Sequence, residues 1–202
     1  MKKLFLLLPL LVCLCGCSSV QYFNSSETEE FAETDFESVN TTNVDSSFTL
    51  SPFMREMRGT VRNFLGENYW PNTLYSSEEF AERTGISEDM YDSFLAEYEH
   101  TEAGTDLMII IDAKEDSVEA VEQLINDYRE VLLRIYEQQP QNHAKVAASR
   151  IETIDHYVCF VQLGADITAL KDKGEDTMIS YCQNENEKVL DVIEKNILNE
   201  KN

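Results

Sequence analysis

Apolar and polar residues change their rhythm several times along the chain. Leu4 to Cys15 (LFLLLPLLVCLC) is a continuous apolar run of twelve residues behind Met1-Lys2-Lys3. At about 1.5 Å per residue it is too short to cross a bilayer core of about 30 Å as a helix, and it has the length of a signal-peptide apolar region. Between residues 18 and 50 no period holds, because Tyr22, Phe23, Phe31 and Phe36 fit neither helix nor strand spacing. Helical spacing begins at Ser51-Pro52, an N-cap hydroxyl followed by proline at the first helical position. Phe53, Met57, Val61, Phe64 and Leu65 then recur until Gly66 closes the helix. Ser76-x-x-Glu79 is a capping box before Phe80-Ala81. Ser87, with Glu88 and Asp89 behind it, opens a third helix whose apolar face is Met90, Tyr91, Phe94, Leu95 and Tyr98.

Past Tyr98 the period shifts. Leu107 to Ile111 (LMIII) lies between Asp106 and Asp112 and reads as a strand buried on both faces. Asp116-x-x-Glu119 opens the longest helix, with Val118, Val121, Leu124, Ile125, Tyr128, Val131, Leu132, Ile135 and Tyr136 at helical spacing and Pro140 ending it. A short helix is expected near residues 142–147. Residues 150–154 and 157–163 are β-rich runs across Asp155-His156, which reads as a hairpin, since both turn residues tolerate positive φ better than most. The last helix is expected from about 176 to 198, with Met178, Cys182, Val189, Ile193 and Ile197 inward. The predicted fold class is α+β, a β-α-β-β-α core preceded by N-terminal helices. Its sheet has three strands, antiparallel or mixed, with helices mainly on one face. A crossover followed by the hairpin gives the strand order 1-3-2, a ferredoxin-like arrangement lacking its last strand.

Charge narrows the function. Against 16 Lys+Arg stand 38 Asp+Glu, a formal net charge of -22 over 202 residues. Such a field repels phosphate backbones, so nucleic acid is excluded as a partner. Residues 18–50 hold seven acids and no base, and fifteen of these 33 residues are Ser, Thr or Asn. Without Gly or Pro this is a self-repelling, extended tether of about 30 Å mean reach. Phe31 and Phe36 offer a second reading of it, as a short linear interaction motif. The predicted organisation is a leader at 1–16, a tether at 17–50 and one globular domain at 51–202.

The end of the leader is Leu14-Cys15-Gly16-Cys17-Ser18-Ser19, with no Ala-x-Ala site. A Cys behind a small residue, with Leu three positions before it, resembles the lipobox of bacterial lipoproteins. The resemblance implies cleavage after Gly16 and a diacylglyceryl group on the Cys17 thiol. Two acyl chains, at about 0.8 kcal/mol per buried CH₂, give a lasting anchor on the extracytoplasmic face of the cell membrane.

The search for chemistry is mostly negative. His100, His143 and His156 form no H-x-x-x-H or H-E-x-x-H pair, and no G-x-S-x-G, P-loop, dinucleotide or calcium-loop motif occurs. No catalytic residue, metal or cofactor is assigned. The candidate binding residues are Tyr69, Trp70 and Tyr75, on a loop beside Pro71 that holds the single Trp. Such a loop is a ligand platform or a lid folded back on the core. Arg55, Arg58 and Arg62 form a basic stripe on the first helix, which faces lipid head groups or is neutralised by the protein's own acids. Cys159 and Cys182 are expected to be two buried, reduced thiols.

Tyr69-Trp70-Pro71 through Tyr91, the segment DLMIIIDAKED (106–116), the long helix and SRIETIDHYVCFVQLGAD (149–166) together resemble the C-terminal domain of Gram-positive, clostridial-type lipoproteins, domain of unknown function 4358. The resemblance covers about residues 67–165 and implies topology and localisation, with no catalytic residues. The function expected is a non-enzymatic binding or scaffolding module of the cell envelope, with an envelope protein or glycan as partner. The alternative is an envelope hydrolase acting on glycan or peptide; a two-lobed solute-binding protein is disfavoured by the short globular region.

Overall fold

The computed structural model describes residues 49–101 and 104–200. The leader, Cys17 and the expected tether up to residue 48 lie outside the described residues.

Local signals set most of the helices. Helix α1 spans Pro52–Leu65; the Ser51 hydroxyl accepts from the Met54 amide at 3.2 Å, and Gly66 at φ 56 ends the helix. Its inner face is Met54, Met57 and Val61, with Phe53 and Leu65 packed against the same cluster; of the predicted stripe only Phe64, 50% exposed, points away. Leu50, the last residue of the expected tether, is buried in the same cluster. Helix α2 spans Ser77–Thr84 behind a complete capping box between Ser76 and Glu79. Helix α3 is Val118–Tyr136, entered through a 3-10 turn at Glu115–Ser117 rather than through an Asp116 cap. Pro140 opens helix α4, Pro140–Ala147, and helix α5 spans Glu175–Glu200.

The sheet departs from the three-stranded expectation. Its strands are β1 (Thr73–Leu74), β2 (Tyr91–Tyr98), β3 (Leu107–Ala113), β4 (Arg150–Ile154) and β5 (Tyr157–Gln162), all paired antiparallel in the order β1-β2-β3-β5-β4. The predicted order of the last three strands holds, and the Asp155-His156 turn is made with Asp155 at φ 58. The third predicted helix does not form. Tyr91–Tyr98 is a strand because Phe94 and Ala96 pack on one side of the sheet and Leu95 on the other, burial that a one-sided helix cannot supply. This strand takes the place that the ferredoxin-like reading left empty beside β3.

The helices also lie on both faces, not mainly on one. Helices α1 and α5 cover Leu95, Met108, Ile110, Cys159 and Val161. Helices α2 and α3 cover Phe94, Ala96, Ile109, Ile111, Val158 and Phe160 on the other face. A sheet apolar on both sides needs two covering layers. Cys159 lies within the first cluster and Cys182 beside α4 in a third, both buried and free, and burial pushes the Cys182 thiol up to about 11. No helix among the described residues is long and apolar enough to cross a membrane.

Candidate functional site

Sheet register places one row of side chains across three strands: Tyr98 on β2 faces Leu107 on β3, which faces Gln162 on β5. Partners in a row share a face, here the face of α2 and α3. Helix α3 brings Tyr128, Leu132 and Tyr136, spaced four apart, to the same place. Together with Tyr75 and Arg83 they enclose a cleft of about 670 Å³, within the size range of small-ligand sites.

The aromatic wall is held from within. The Tyr75 amide donates to the Ala96 carbonyl at 2.9 Å, which extends the sheet and fixes the ring. That ring stacks on Tyr98 at 4.5 Å, and the Arg83 guanidinium lies 5.1 Å from its centroid. Burial raises the Tyr75 and Tyr128 hydroxyls above the ordinary phenol range. Arg83 has no carboxylate partner among the described residues.

The floor is polar and partly unsatisfied. The Gln162 amide donates to the Thr105 carbonyl, while Gln162 Oε1 and Thr105 Oγ1 are buried with no partner. Gln162 is 2% exposed and Thr105 7%. A buried orphan of this kind costs about 1–3 kcal/mol, and the Tyr91 hydroxyl and Arg150 Nε are two more among the described residues, away from the cleft. Asp106, beside Thr105, is differently placed. Its carboxylate pairs with Lys145 Nζ at 2.6 Å and accepts from the Gly164 amide at 3.0 Å. Burial raises its pKa to about 6 against the pull of Lys145. Both oxygens are therefore committed, and Glu99 is the other carboxylate lining the cleft.

The three residues proposed from sequence separate. Tyr75 lines the cleft. Trp70 lies over Lys145, with the ammonium 4.8 Å from its ring centroid, and so covers the ion pair to Asp106. Tyr69 donates its hydroxyl to Glu97, a fully buried carboxylate that also receives Arg58 through two bonds of 2.7 and 2.6 Å. The loop folds back as a lid. The arginine stripe divides too: Arg58 is neutralised by Glu97, Arg55 reaches the Leu50 carbonyl at 3.2 Å, and Arg62 is exposed. Arg83, Tyr98, Thr105, Tyr128, Tyr136 and Gln162 escape a sequence reading that treats tyrosines at helical spacing as core. No group of three or more potential metal ligands occurs among the described residues.

Fold and cleft together define a small α+β module with a tyrosine-lined, partly polar cavity at one end of its sheet. Residues 66–163 match the model of the family described as domain of unknown function (DUF4358), and every residue lining the cleft lies inside that stretch. No curated protein and no solved structure matches the chain.

Proposed function

We propose that this chain is a bacterial lipoprotein of the Gram-positive, clostridial type, held to the extracytoplasmic face of the cell membrane through diacylglyceryl-Cys17. It acts there as a non-enzymatic binding module whose ligand seat is the tyrosine cleft and whose partner is an envelope glycan or protein. The observation that carries the binding reading is the cleft itself: aromatic walls and unpaired polar groups, without a pair of free carboxylates. A hydrolase finds support in Glu99 and Asp106 lining the same cavity. It is weaker because both Asp106 oxygens are held by Lys145 and Gly164, which leaves one acid for a reaction that ordinarily uses two. The anchor is supported by the apolar leader and by Leu14-Cys15-Gly16-Cys17.

The test has two arms. Full-length protein expressed in a bacterial host should take up labelled palmitate and enter the detergent phase, and Cys17→Ala should do neither. Equal partitioning of the variant would sink the anchor. Envelope fragments incubated with the protein should bind it without releasing soluble sugars or peptides. Release that disappears in Glu99→Gln would establish the hydrolase instead.

A further inference from the structure

Resting on the reading of the cleft as a binding seat, we infer that its ligand is a zwitterion, an amino acid or a short peptide with both ends free. The cleft has two walls of unlike character. One is built by helices, with Arg83 from α2 and Leu132, Ile135 and Tyr136 from α3. The other follows the end of β2, with Tyr98, Glu99 and Thr101. These side chains are exposed or half-buried, unlike Thr105 and Gln162 on the floor. Each wall carries one charge that the fold leaves without a counter-charge among the described residues.

Arg83 is held on the helical wall. Its acidic neighbour one helical turn back, Glu79, is engaged in the capping box, where it accepts from the Ser76 amide and hydroxyl at 3.1 Å. The guanidinium lies instead 5.1 Å from the Tyr75 ring centroid. Its charge opposes the effect of burial at the Tyr75, Tyr128 and Tyr136 hydroxyls, so it is directed into the cleft. On the other wall the Glu99 carboxylate accepts from the Thr101 hydroxyl at 3.1 Å and from the Asp106 amide at 3.5 Å. Lys145 does not serve it, being taken by Asp106 at 2.6 Å. A ligand that is only cationic is repelled by Arg83, and one that is only anionic is repelled by Glu99. A neutral ligand leaves both charges as they are. A zwitterion answers both: its carboxylate accepts from the guanidinium in the bidentate geometry that Arg favours, and its ammonium donates to Glu99. An apolar side chain between them lies on Leu132, Ile135 and Tyr136.

The experiment is isothermal titration calorimetry on the full-length protein in detergent micelles, with empty micelles as the blank. The probes are leucine, alanyl-leucine and alanyl-leucyl-alanine, each also in its N-acetyl form and as its C-terminal amide. At least one free-ended probe is expected to bind, with its N-acetyl form and its amide each at least fivefold weaker. Arg83→Gln should weaken the free-ended probe at least fivefold and bind acid and amide alike. Arg83→Lys keeps the charge and should retain the preference for the acid. Glu99→Gln should bind the free and the acetylated amine alike. Binding of none of the free-ended probes, equal binding of a blocked form by wild type, or undiminished binding by Arg83→Gln or Glu99→Gln would each overturn the inference. Binding to envelope fragments is measured separately, so loss of the zwitterion inference leaves the binding-module reading to its own test.

Discussion

At the scale of single residues the buried charges of this molecule are the places where pH acts. The Asp106 carboxyl is raised by burial from its ordinary value to about 6, although Lys145 pulls it the other way. A carboxyl with a raised value holds its proton more tightly in the folded chain than in the unfolded one. Its contribution to stability is therefore full below about pH 4 and is lost as pH rises through about 6. Asp106→Asn removes this titration and leaves the other carboxylates in place. Urea midpoints of wild type and variant from pH 3.5 to 7.5 should show the stability difference, wild type minus variant, falling across pH 4 to 6. A difference that stays flat, or rises, would show that burial does not control Asp106. Burial acts in the same direction on the two cysteines, favouring the protonated thiol in both.

Between elements, the apolar face of α1 is backed by a charged contact with the sheet, from Arg58 to Glu97 on β2. Glu97 is fully buried, and without the guanidinium it keeps only the Tyr69 hydroxyl. Arg58→Ala should cost about 2–3 kcal/mol, below the full penalty for orphaning a buried charge because Arg58 itself is partly exposed. Arg62→Ala on the same helix should lie within about 0.5 kcal/mol of wild type. Equal effects of the two variants in urea denaturation would mean that Arg58 is only a surface charge. The same pair of elements shows how far the sequence can be read. The ends of α1 and α2 are legible because Ser51-Pro52 and Ser76-x-x-Glu79 are local devices whose partners lie three residues away. The hairpin is legible because its turn separates two β-rich runs. Strand β2 is not, because Phe94, Leu95 and Ala96 are buried in succession and the alternation that marks a half-buried strand is absent. Met90, Tyr91, Phe94, Leu95 and Tyr98 then imitate a helical stripe. The cleft is illegible for a related reason. Gln162 is far in sequence from Tyr98 and Leu107 and joins their row only through strand register.

Taken whole, the molecule is larger than the stretch that matches a family model. Residues 66–163 supply the sheet with α2, α3 and α4, whereas α1 and α5 lie outside that stretch and cover the same sheet face. Without them Leu95, Met108, Ile110, Cys159 and Val161 would form a broad exposed apolar surface. A fragment of residues 66–163 should therefore bind hydrophobic dyes and unfold without a cooperative transition, while residues 49–202 should melt as one unit. Cooperative melting of the short fragment would refute this division of labour. The arrangement also sets an order of events in synthesis. A chain made from its N-terminus has every strand of the sheet available once Gln162 is free, yet the second face stays open until Ile193 and Ile197 on the last helix arrive. The first helix waits beside a half-finished surface for the last. That face of the sheet is closed only by the final turns of the chain.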